Sequence, residues 1–226
     1  MKQAPTHMEA TSVPGLHASG PEPLSFAPSL HVRAFLLRRS AGNLLVYSVP
    51  GFDSGAPHVR DLGGVSRHYL NHWHEAMFPP EAVDAPLFVH ENEREEVASR
   101  LDVRGTFSRR HVLDDDFEVI PTPGHTSGAT AYLGDTGEHR LLFTGDTLYL
   151  KDGEWVAAVL DSSDHDASVE SLELIGKLDF DVLVPWAATA GQPYLAVTDS
   201  AETRRRIDAI LERVRAASPG SAPRST

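Results

Sequence analysis

Pro121-Thr122-Pro123-Gly124-His125-Thr126-Ser127-Gly128 opens a stretch that closes on Phe143-Thr144-Gly145-Asp146. A histidine in a Pro-Gly turn is followed by apolar, strand-like sequence that delivers an aspartate into a Gly turn. Two ligand-type side chains therefore stand at loop tips on a β scaffold, where binding residues concentrate. About fifty residues upstream, Leu70-Asn71-His72-Trp73-His74-Glu75 places two histidines two apart at a strand's end. Both can turn toward one point once the chain leaves the strand. The stretches together make a constellation of three histidines and one carboxylate.

His72-x-His74, Pro123-Gly124-His125-Thr126-x-Gly128 and Thr144-Gly145-Asp146 resemble the second, third and fourth motifs of the metallo-β-lactamase superfamily, in order and approximate spacing. Each motif alone is weak, and the ordered set is strong. The resemblance runs from about residue 31 to 216 and implies an α/β fold, the four-layer αββα sandwich. It also implies His72, His74, His125 and Asp146 as metal ligands, with Asp146 touching the chemistry as well. Such a set with an open position suits zinc hydrolysis, because a bound cation lowers the pKa of its water toward ~7.

The departures from the pattern matter as much. The superfamily's second motif continues Asp-His where this chain has Ala76-Met77, and its fifth motif supplies a histidine where Trp186-Ala187-Ala188 stands. The ligands exclusive to a second metal are absent, so one divalent metal per chain is expected, zinc ahead of iron. The resemblance also implies a supporting aspartate at the end of the strand Leu44 to Tyr47, but Tyr47 and Ser48 occupy the matching positions. Glu75 either orients the attacking water or is a solvated charge at a helix start. Trp73 and Trp186 either wall an apolar pocket or fill the vacated second site. His90 ends a strand near the ligand rim, and His165 with Asp161 lies on a loop that no spacing fixes. All three are unassigned.

Composition bounds the rest. The 226 residues carry 20 Lys and Arg against 32 Asp and Glu, a formal net charge of −12, which argues against nucleic acid as a partner. There is no cysteine, so any metal must sit on nitrogen and oxygen. No apolar run is long enough to span a membrane, and no signal-peptide pattern opens the chain, so a cytoplasmic location is expected. Residues 1–28, rich in Pro, Gly and Ser, read as a flexible leader, residues 29–216 as a single domain, and 217–226 as a flexible tail. Helices are expected from caps at Asn92, Asp166 and Asp199.

The resulting expectation is a mononuclear metal-dependent hydrolase of a small-molecule ester, thioester or lactone, with the oligomeric state open. The missing export signal disfavours penicillin hydrolysis, and room for only one helix after Pro185 weakens glutathione-thioester hydrolysis. Two alternatives stand. A non-haem iron dioxygenase of the persulfide type would use His72, His125 and Asp146. A non-catalytic metal-binding protein would keep the fold alone.

Overall fold

Alternation along the central strands sets the layers. In Arg140–Gly145, Leu141 and Phe143 enter one apolar cluster while Leu142 enters another. Val182 and Val184 join the first and Leu183 the second, and Tyr132 is separated in the same way from Ala131 and Leu133. A strand with apolar residues on both faces must be covered on both sides. A computed structural model, which describes residues 8–80 and 82–217, shows how the cover is arranged.

A seven-stranded sheet runs in the order 9–10, 16–18, 35–37, 44–46, 67–69, 87–90, 103–107. It faces a six-stranded sheet ordered 111–113, 117–121, 130–135, 140–145, 182–185, 196–197. Leu37, Val46, Tyr69, Phe117, Tyr132, Phe143 and Val184 fill the space between them. Helices α1 (Ala56–Asp61) and α2 (Arg94–Ala98) connect parallel strands of the first sheet. Helices α3 (His165–Ile175) and α4 (Ser200–Ala216) cover the second, burying Leu172, Ile175, Ile207 and Ile210 against Ile120, Leu142 and Leu183. Each such side chain contributes about 1.5–3 kcal/mol. The layers are α, β, β, α, as the motifs imply. A five-stranded sheet, 154–156, 149–151, 187–189, 27–32, 22–24, extends one end.

Part of the expected leader is built into the fold. Glu9–Ala10, Leu16–Ala18, Glu22–Leu24 and Ala27–Val32 are strands, and Met8, Val13, Leu16, Ala18 and Leu24 are buried. The prolines mislead here because Pro23 lies on an edge strand, where a missing N–H costs no ladder bond. Residues 1–7, and the expected tail beyond Ala217, lie outside the described residues. Two caps also move. Asp164, not Asp166, accepts from Ala167 N at the start of α3, and His90 Nδ1 accepts from Asn92 N ahead of α2. Asp199 caps α4 as expected, accepting from Ala201 N and Glu202 N.

One buried group ties stability to pH. His68 is 3 % exposed and its Nε2 donates to the Tyr47 carbonyl at 3.0 Å. Burial pushes its pKa down to about 4, against the opposing pull of that bond. The unfolded chain therefore binds a proton below about 6.5 that the fold refuses until about 4. Between those values stability rises with pH, by on the order of 3 kcal/mol in all from this group. Urea unfolding from pH 7 to 4 is expected to show this loss on acidification. His68→Gln, which keeps a donor for Tyr47, is expected to flatten the slope, and an unchanged slope would show that His68 titrates normally.

Candidate metal centre

The strand Arg67–Tyr69 ends in Leu70-Asn71, and Asn71 fixes the departure of the chain. Its carbonyl accepts Thr130 N at 3.0 Å, and its Nδ2 donates to the carbonyls of Thr130 and Thr144. Its Oδ1 receives Asp146 N at 3.4 Å. One buried amide thus spaces the three motif segments. His72 follows in extended backbone, and Trp73–Met77 coils as a 3-10 helix that swings His74 back toward His72.

His125 and Asp146 reach the same point from the opposite sheet. Gly124 has φ +140°, and a Cβ there would lie 2.6 Å from the Ser168 backbone, so the turn that aims His125 requires glycine. Gly145 has φ +55° and abuts the Asn71 side chain. The loop after the strand Glu154–Val156 braces both ligand-type residues: Ala158 N donates to the Asp146 carbonyl at 3.3 Å, and His125 Nδ1 donates to the Ala158 carbonyl at 2.8 Å. With its proton on Nδ1, His125 turns the lone pair of Nε2 inward.

The four predicted side chains converge, with one ligand-type atom from each of His72, His74, His125 and Asp146 within 4.8 Å of the others. His125 Nε2 lies 3.2 Å from His74 Nδ1. Asp146 Oδ2 is 3.5 Å from His72 Nε2 and 3.6 Å from His125 Nε2. A tetrahedral cation at ~2.0–2.1 Å from its ligands sets them ~3.4 Å apart. Both ring nitrogens of His72 are buried without a well-aligned hydrogen-bond partner, and Nε2 is the one that faces the other converging groups. The donor set and its spacing fit a metal, and the fold with this site implies a metal cofactor.

Without a cation, the electrostatics show how tightly the groups are coupled. Burial opposes charge on His72, but bonding to Asp146 and Glu75 prevails and lifts its pKa to about 10. Asp146 is held below the usual carboxylate range by His72, His125 and His74, although burial alone would raise it. Burial and the charge on His72 and His125 push His74 down to about 4, and burial and His72 lower His125.

Glu75 does not take either position expected of it. It is neither solvated nor on the open side of the site, because its side chain is fully buried. Oε1 accepts Asn71 N at 2.9 Å and His72 N at 3.3 Å, and Oε2 accepts Ser48 N at 3.1 Å. Oε1 also stands 3.2 Å from His72 Nδ1, across the imidazole from Asp146. Burial lifts its pKa, with His72 and the backbone donors pulling the other way.

The remaining candidates stand apart. His90 is buried with its ring edge-on to Phe107 at 5.8 Å and is not among the converging groups. His165 Nε2 donates to the Val214 carbonyl at 2.8 Å. With Asp161 it lines a cavity of about 530 Å³ beside Arg213, and none of the four converging side chains lines that cavity. Trp186 is buried, donates from Nε1 to Ser48 O at 2.9 Å, and sits 5.6 Å from the His72 ring, so it fills the volume beside the site. Trp73 is half-buried with its ring 4.1 Å from that of His74.

Asn71, Tyr47 and Glu93 were not flagged from sequence. The Tyr47 hydroxyl accepts Gly145 N and donates to the Val184 carbonyl, both at 2.8 Å. Glu93 accepts Trp73 N at 2.7 Å and Gly128 N at 2.6 Å, tying the two histidine loops together. Gly128 was the only signal for Glu93, since a Cβ there would lie 2.6 Å from the Glu93 side chain.

Residues 54–187 match the family model of the metallo-beta-lactamase superfamily. A hydroxyacylglutathione hydrolase from Erwinia tasmaniensis is 49% identical over 45 residues, which is 20% of this chain and 16% of that protein, so the likeness is confined to a short segment. Among solved structures, a metallo-beta-lactamase from Pontibacter korlensis is similar in fold, with TM-score 0.68 at 15% identity, covering 91% of this chain and 99% of that one. An archaeal metallo-beta-lactamase superfamily protein from Sulfolobus tokodaii gives TM-score 0.62 at 17% identity, covering 88% and 85%.

Proposed function

Because this chain belongs to the metallo-beta-lactamase superfamily, we propose that it is a mononuclear metal-dependent hydrolase of a small-molecule ester, thioester or lactone. Zinc, held by His72, His74, His125 and Asp146, is the preferred cation. The observation that carries the reading is the convergence of three imidazoles and one carboxylate at near-tetrahedral separations. When bound, the cation supplies Lewis acidity to a carbonyl and acidifies water.

The chain's own groups do the rest. Hydrogen bonding at Nδ1 presents His125 to the cation as a neutral donor. The Asp146 side chain is 19% exposed, so it can serve as a ligand through one oxygen and take up a proton from the attacking water through the other. Trp73 offers apolar surface next to His74, and the exposed Met77 ends the same 3-10 helix. The short likeness to a hydroxyacylglutathione hydrolase favours a thioester within this class. An iron dioxygenase built on His72, His125 and Asp146 would leave His74 out, whereas His74 Nδ1 lies 3.2 Å from His125 Nε2. That distance supports the three-histidine set.

The test is elemental analysis of protein purified without added metal, followed by hydrolysis assays on a p-nitrophenyl ester, an acyl-glutathione thioester and a lactone. About one zinc per chain and turnover abolished by a chelator are expected. Iron with oxygen consumption would favour the dioxygenase, two metals per chain would refute the mononuclear site, and no metal would leave a fold without this chemistry.

A further inference from the structure

We propose that Glu75 is the positioning residue of the site, a buried carboxylate that holds His72 with its proton on Nδ1 and its lone pair on Nε2 facing Asp146, His74 and His125. The inference rests on the metal reading above and adds the group that makes His72 a ligand.

An imidazole offers one lone pair, and which nitrogen carries it depends on what the other nitrogen meets. At His72 the two nitrogens meet different surroundings. Nε2 faces the cluster, 3.5 Å from Asp146 Oδ2, and Nδ1 faces Glu75 Oε1 at 3.2 Å. Neither carboxylate donates, and what separates them is the ligand set. Asp146 Oδ2 and His72 Nε2 both belong to the converging groups and turn to the cation, whereas Glu75 does not, so a neutral His72 ligand keeps its proton on Nδ1 beside Glu75. Glu75 is itself fixed by the N–H groups of Asn71, His72 and Ser48. Asn71 N and His72 N belong to the loop that carries the ligand, and Ser48 N belongs to the segment following the strand Leu44–Val46. The ring is thereby referenced to the sheet and not only to its own loop.

His90 supplies the comparison. It is another buried polar side chain near the site, accepting Asn92 N and standing outside the converging groups. Replacing it tests packing beside the site without removing a partner of His72.

The experiment measures zinc affinity by chelator competition in the folded wild type, Glu75→Gln and His90→Gln, with melting temperatures alongside. Both variants are expected to melt lower. Only Glu75→Gln is expected to lose ~10–100-fold in zinc affinity, the range for an outer-shell partner of a metal-binding histidine. Equal affinity losses in the two variants, or none in Glu75→Gln, would overturn the proposal. Should Glu75→Gln not fold, ring 15N spectra of the zinc-loaded wild type decide the matter, with the His72 proton expected on Nδ1 and a proton on Nε2 overturning it. A wild type that binds no zinc would overturn the metal reading itself.

Discussion

Replacing His125 by Ala is expected to abolish tight zinc binding, with a loss exceeding the ~10–100-fold that follows removal of an outer-shell partner. The substitution deletes an inward-facing nitrogen whose tautomer is fixed by the Ala158 carbonyl, and it deletes one of the two residues that approach from the second sheet. His90→Ala is the matched control. His90 is also buried and also lies near the rim, but it engages Asn92 N and Phe107 and not the cluster. Its loss removes a helix-start acceptor, worth about 1 kcal/mol, and should leave zinc affinity within a few-fold. The difference is visible in thermal shifts, because a ligand present at ~1,000 times its Kd stabilises the fold by ~4 kcal/mol. Zinc is expected to raise the melting temperature of the wild type and His90→Ala and to do little for His125→Ala. Comparable zinc shifts in both variants would show that the site has been placed wrongly.

The largest effect on the fold itself is expected from Gly145→Ala. An added Cβ would lie 2.0 Å from Asn71 Cγ and Oδ1, in a residue with φ +55°. The left-handed backbone costs an alanine about 1 kcal/mol, which is the smaller part. Asn71 must also move, and with it go the bonds to Thr130 O, Thr144 O and Asp146 N. Each buried partner left unsatisfied costs about 1–3 kcal/mol, so a total above ~4 kcal/mol is expected, a large share of the ~5–15 kcal/mol that keeps a domain folded. Gly137→Ala separates the two causes. Gly137 has φ +84° but open space where the Cβ would go, so it should cost only the backbone strain. Urea midpoints that fall equally in the two variants would show that the contact with Asn71 is not what requires glycine at 145.

Much of this was readable in the chain. The two-residue alternation of Leu141, Leu142 and Phe143 foretells a strand covered on both faces, and the motif histidines with Asp146 are the residues that converge. Other features resisted because the sequence hides them in ordinary chemistry. Pro14, Pro21 and Pro23 make residues 8–28 read as unstructured, whereas Pro14 falls in a turn, Pro21 just ahead of a strand, and Pro23 on an edge strand, where proline is tolerated. Glu75 looked solvated because a glutamate one step past a histidine is usually a surface charge, and only the third dimension brings Ser48 N within 3.1 Å of it. Asn71 and Glu93 act on backbone groups far along the chain, Thr144 and Gly128, and such pairing leaves no local spacing to read.

The brace at Ala158 carries a kinetic consequence. A single residue of the loop gives its carbonyl to His125 and its N–H to the carbonyl of Asp146. Departure of that loop from the sheet would slacken both second-sheet ligands together, leaving only His72 and His74. Cation release is then expected to be coupled to opening of one short loop, so variants that loosen the loop should shorten the cation's residence time and speed deuterium exchange of the Ala158 amide together.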